Sequence, residues 1–275
     1  MKVAMCFNGK IGGRHTQKKG NLAQQDRKVF RESIKTIENN IFNSNIDIEF
    51  HNFLHCWDPE HQDELVSALS PKDFLFEKEW QYDQHNIGRH VKGSVGKKYS
   101  IFNKWKSVEK SLKMMFKYAK KNNIEYDYIM LCRYDTSFLS PLMFSDLKRD
   151  TLYAINWFVY KEPATGKKVD DKIFCSKKWR ENNQFSSLTQ VGFPIDNTGF
   201  FDLWFIGGHK IMTNFMLIYT RLNELAKVQE TTDNSGNFSN HRLIPLSLSK
   251  DGHLDNMKFI LDFPKDCCHT RYIIN

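Results

Sequence analysis

Apolar positions along this chain recur in two rhythms. Short unbroken runs alternate with longer stretches in which apolar residues return every three or four positions. The run KVAMCF at residues 2–7 leads into NGKIGGR, a buried strand followed by a glycine-rich loop. Between 24 and 42, Phe30, Ile34, Ile37 and Ile41 share one face of an amphipathic helix. IDIEFHNFLHCW at 46–57 is a second strand, stopped by Asp58-Pro59. A short helix over 60–69 and a strand over 73–79 follow. Residues 81–97, rich in Gly, His and Lys, read as a loop. The clearest helix comes next, with Ile101, Trp105, Val108, Leu112, Met115 and Ala119 at steps of four and three. It delivers the chain into YDYIMLCRYD at 126–135, a strand from Tyr128 to Cys132 that ends by presenting Arg133 and Asp135.

This alternation of strand and helix predicts an α/β fold, a mixed and mainly parallel sheet flanked by helices. Ligands of such sheets bind beyond the carboxyl ends of the strands. Three predicted strand ends carry polar groups: Asn8 to Arg14, His55 to Asp58, and Arg133 to Asp135. They are expected to meet in one crevice.

Beyond Asp135 the pattern loosens. TLYAINWF at 151–158 reads as a strand, and 161–195 is polar and irregular. NTGFFDLWFIGG at 197–208 reads as a strand ending in two glycines. Ile211, Phe215, Ile218, Leu222 and Leu225 mark a helix, 229–240 a loop, and MKFILD at 257–262 a last strand. With no internal repeat, one domain over 1–275 is the economical organisation, 1–137 forming a nucleotide-binding half and 138–275 an elaboration.

Charge narrows the partners. Lys and Arg total 40 against 32 Asp and Glu, a net charge of +8 that favours an anionic ligand or surface. The six cysteines are scattered without CxxC spacing, which argues against zinc and for a reducing, cytoplasmic compartment. The first ten residues are too short of apolar character for a signal-peptide core, and no run of ~18 apolar residues marks a membrane span. The spacing after the first strand is neither GxGxxG nor a P-loop, so a dinucleotide oxidoreductase or a kinase loses its main support.

The order of FNGKIGG, an H-x-W-D strand end, a long helix, YDYIMLCRYD and a later DLWFIGG…IM resembles GT-A-type glycosyltransferases. More narrowly, it is similar to bacterial and viral glycosyltransferase-like proteins whose strand ends in R-x-D. The resemblance implies a nucleotide-sugar donor, a glycan or other acceptor, and a divalent metal, Mn²⁺ or Mg²⁺. Asp135 would then hold the metal, Arg133 a phosphate or carboxylate, and His269 in the tail would complete the metal site. The chemistry is reasonable, because the departing nucleoside diphosphate gathers negative charge that a cation must stabilise.

Further donor contacts are expected from Asn8, Gly9, Gly12 and Arg14, where glycines let backbone approach a ligand. His55 and Asp58 would line the crevice, and Arg89 with His90, Lys92, Lys97 and Lys98 would close over a diphosphate. His51 and His55 lie roughly 13 Å apart on one strand face at ~3.3 Å per residue, too far to share an ion. An inverting transferase needs a carboxylate to take the acceptor proton. Asp202 is the first candidate and Asp196 the second; His241 and His253 are further candidate metal ligands beside His269.

Residues 89–121 hold eleven Lys and Arg against one acid, Glu109, mostly on the helix face opposite Trp105 and Leu112. That face could meet an anionic surface. It also supports the competing reading, a non-catalytic basic α/β module that binds nucleic acid or another polyanion. A degenerate transferase that keeps only the fold is a third.

Overall fold

The computed structural model describes residues 1–12, 22–79, 95–157, 200–232, 240–249 and 256–274. The apolar runs are strands. β1 (Lys2–Gly9), β2 (Glu49–Cys56), β3 (Asp73–Phe76) and β4 (Tyr128–Arg133) are mutually parallel in the order β3-β2-β1-β4. Short β5 (Thr136–Phe138) leaves the sheet. β6 (Leu152–Trp157), β7 (Trp204–Gly207) and β8 (Met257–Phe263) continue the sheet as β4-β7-β6-β8. In this described sheet β7 alone opposes the other strands. The mixed, mainly parallel sheet flanked by helices is therefore as expected.

Both faces of the sheet are buried, which is why β1 and β4 read as continuous apolar runs rather than alternating ones. One face is covered by α1 (Leu22–Ile37) and α2 (Gln62–Leu69), through Phe30, Ile34, Ile37, Leu65 and Leu69. The other is covered by α3 (Val95–Asn122), α4 (His209–Leu217), α5 (Leu222–Thr232) and α6 (Asn240–Ser249). Trp105, Leu112 and Met115 on α3 are at most 1% exposed. Each such side chain contributes roughly 1.5–3 kcal/mol by leaving water. Among the described residues, no helix is long and apolar enough to cross a membrane.

Several boundaries differ from the sequence pattern. The first helix ends at Ile37 and passes into a π-turn over Glu38–Phe42. The helix expected through Ile211 to Leu225 is two helices. Between them the Thr220 hydroxyl donates to the Leu217 carbonyl (2.9 Å), a local bond that competes with the helical ladder. Of the strand expected over 197–208, the described part from Phe200 is strand only at Trp204–Gly207, because Asp202 and Leu203 form a turn. The helix α6 was not legible, since Pro245 lies inside it. Nor was the ribbon of β5 with β9 (Cys267–His269), whose strands are three residues each and far apart in sequence.

Candidate functional site

β1 and β4 are neighbours, but the chain leaves them in opposite directions, β1 toward β2 and β4 toward β7. This is the topological switch point at which open α/β sheets form a crevice. Asn8 and Arg133 stand in register at their carboxyl ends. A cleft of about 320 Å³ opens there, lined by Asn8, Gly9, Lys10 and Trp57 on one side and by Phe201, Asp202, Asn240 and His241 on another. Lys104, Arg133, His269 and Arg271 also line it.

Each polar group has a local reason for its place. The Asn8 amide donates to the Cys132 carbonyl (3.2 Å), tying β1 to β4. Gly9 turns the chain out of β1 at φ +103°, a conformation glycine adopts without strain. Asp202 precedes β7, and the antiparallel pairing of Cys132 with Trp204 carries the start of β7 to the end of β4. That reversal brings residue 202 beside residue 133.

The centre is a chain of ion pairs. Arg133 donates from Nε to Asp135 Oδ1 and from Nη2 to Oδ2, both at 2.8 Å. His269 Nδ1 lies 3.4 Å from the same Oδ2. On its cleft side, Arg133 Nη1 is 3.6 Å from Asp202 Oδ1, and the Lys104 ammonium meets Asp202 Oδ2. Asp135 is 1% exposed. Burial alone would raise its pKa, but Arg133 and His269 outweigh burial and hold the carboxyl well below the usual range. Burial pushes the Lys104 ammonium well below its ordinary range; Arg133 adds to that push and Asp135 opposes it. His241 is lowered to about 4 by burial, with Lys104 and Arg133 contributing. Its Nδ1 pairs with the Phe200 carbonyl at 2.8 Å, which fixes the proton on Nδ1 and makes Nε2 the basic nitrogen.

A second polar network lies behind the cleft wall. The Gly9 amide donates to Ser107 Oγ (2.7 Å), which pairs with His55 Nδ1 (2.7 Å), while His55 Nε2 meets Glu77 (3.3 Å). Lys110 reaches the same Glu77 carboxylate. His55 is fully buried and its pKa is lowered to about 4, chiefly by burial.

The expected residues divide accordingly. Asn8, Gly9, Arg133, Asp202 and His269 share the cleft. Asp135 stands directly behind Arg133. His55 was expected to line the crevice; it is sealed in the interior and braces the Gly9 turn instead. Asp58 also acts on the loop, accepting the Ile11 amide at 2.8 Å, and Gly12 is buried beside it. Arg14, Arg89, Asp196 and His253 fall outside the described residues.

Lys10, Trp57, Ser100, Asn103, Lys104, Asn240 and Arg271 were not read as site residues. For Lys104 a signal existed. It lies three residues after Ile101 and four before Val108, on the buried stripe of α3 rather than the solvated face. On the basic face, Lys106 and Lys113 share one carboxylate, Glu109 (2.8 and 2.7 Å), and Lys110 pairs with Glu77, so that face keeps a net positive charge.

The residues expected to hold a divalent metal do not fit one in this arrangement. Each oxygen of Asp135 already accepts from the Arg133 fork, and at 1% exposed the carboxylate presents no open edge to the cleft. Among the described residues, no three His, Cys, Asp or Glu side chains converge as a metal-ligand group. No family model matches this chain. No curated protein is similar to it in sequence.

Proposed function

We propose that the cleft binds the diphosphate of a nucleotide-sugar donor and that the chain is a glycosyltransferase. The observation that carries this reading is Arg133 and Lys104 together at the switch point, where doubly wound sheets bind nucleotides. Four cationic side chains line the cleft against two carboxylates, Glu79 and Asp202, with Asp135 behind. Leaving-group charge would be met by these preset cations, which need no reorganisation at the moment of bond cleavage. The Gly9 turn, braced from behind, and Trp57 offer the nucleotide a backbone edge and an aromatic wall. Asp202 and His241 lie on the opposite side, where an acceptor hydroxyl would give up its proton. The acceptor oxygen, its proton passed to Asp202 or His241, bonds to the anomeric carbon as that carbon's bond to the diphosphate oxygen breaks, the nucleoside diphosphate leaving with the bonding electrons.

A thermal-shift panel of nucleoside diphosphates and nucleotide sugars tests this. One nucleotide at ~100 times its Kd should stabilise the chain by about 2.7 kcal/mol, and Lys104→Met should cut that gain to about half or less. No stabilisation by any of the panel would remove the donor-site reading.

A further inference from the structure

This inference rests on the donor-site reading. We infer that Arg133 and Lys104 form a metal-free seat for one phosphate of the ligand, and that the Asp202 carboxylate is the internal anion competing for it.

The seat is built before any ligand arrives. Asp135 takes the Nε and Nη2 donors of Arg133 in a bidentate fork, so the guanidinium cannot swing. Its Nη1 edge is thereby aimed at the cleft, 3.6 Å from Asp202 Oδ1. Asp135 is itself held from its backbone: the Thr270 amide donates to its carbonyl (2.9 Å), and Thr136 pairs with His269 across the ribbon. Lys104 reaches the same point from the buried side of α3. Asn240 and His241, the first two residues of the ten-residue helix α6, line the cleft as well.

Two fixed cations with one carboxylate between them form a site for an exchangeable anion. Taking Asp202 away from the partly buried Lys104 and Arg133 with nothing in its place would leave their charge less compensated. Replacing it with a phosphate oxygen keeps both cations paired and adds donors that a carboxylate cannot fill. The exchange therefore costs little desolvation beyond what the folded chain already bears. It also has a chemical consequence: Asp202, released from two cations, recovers basicity just as the donor is seated, and it then stands beside the acceptor position. A divalent ion has no role in this arrangement, since the carboxylate that would hold it is engaged in orienting Arg133.

The test is calorimetric titration of the full chain with inorganic pyrophosphate in EDTA-containing buffer. Wild type should bind without metal. Asp202→Asn, which removes the competitor, should bind about tenfold tighter, and Lys104→Met about tenfold weaker or worse. Should Asp202→Asn fail to fold, metal-free binding by wild type and its loss in Lys104→Met carry the same decision. Binding that requires Mn²⁺, or an Asp202→Asn affinity equal to or below wild type, would overturn the inference. A nucleotide sugar that binds only with Mn²⁺ would leave the donor-site reading standing and remove this one. Pyrophosphate binding with no response to any nucleotide sugar would do the reverse.

Discussion

Two buried polar networks sit at neighbouring strand ends and have opposite characters. Ser107, His55 and Glu77 form a closed set: His55 is sealed, each ring nitrogen has a partner, and the Gly9 amide is the network's contact with the cleft loop. Lys104, Asp202, Arg133, Asp135 and His269 form an open set, with ionisable groups from four separate segments and a cleft on one side. Polar burial alone does not mark a site, since both networks have it. What separates them is that the ion pair of the second, Lys104 with Asp202, lines the cleft, while that of the first, Lys110 with Glu77, does not.

The comparison can be broken most severely at Asp135. Asp135→Ala removes the fork from the half-buried Arg133, leaving Asp202 as its carboxylate partner, and should cost about 3 kcal/mol, read as a fall in the denaturant midpoint. Replacing the pair together, Arg133→Met with Asp135→Leu, should restore much of that stability while abolishing pyrophosphate binding. If the double variant is as unstable as the single, the fork is not the element that makes position 135 costly.

Acid distinguishes the networks next. His55 and His241 are neutral in the fold, with pKa lowered to about 4 from an ordinary value near 6.5. The unfolded chain therefore binds more protons between those values, and stability falls as pH drops from about 6.5 toward 4. Each histidine contributes on the order of 3 kcal/mol to that loss. Asp135, held below the carboxylate range, adds a further loss only at more acid pH. Urea titrations from pH 7 to pH 4 check this, and a flat profile would contradict it. His55→Gln should flatten part of the slope.

The smallest effect sharpens the closed network. Ser107→Ala leaves the Gly9 amide and His55 Nδ1 without that hydroxyl and should cost about 1–3 kcal/mol. Pyrophosphate affinity should stay within about twofold of wild type, because the seat at Arg133 shares no partner with Ser107. An affinity loss as large as that of Lys104→Met would join the two networks into one.

The sequence made the parallel half of the fold readable because β1, β2 and β4 are buried on both faces and α3 keeps its three-four rhythm for several turns. Arg133 and Asp135 were visible as odd residues at the end of an apolar strand. Their actual relation was not, since nothing in R-x-D says whether the carboxylate faces a ligand or clamps the arginine. That is decided by β9, whose His269 arrives from 134 residues away. Asp202 reached the site through the reversed direction of β7, which strand periodicity does not encode. Lys104 was hidden among basic neighbours although its spacing put it on the apolar stripe. His55 misled for the converse reason: a histidine at a strand end looks exposed until α3 covers it with Ser107.

The proposal that the open network handles a nucleotide-sugar diphosphate is tested by release of nucleoside diphosphate from a mixture of nucleotide sugars in EDTA, followed by mass spectrometry, for wild type and Asp202→Asn. Wild type should release it from one donor, and Asp202→Asn should release it more slowly despite binding that donor more tightly. Release by neither protein, with no donor bound by either, would contradict the proposal.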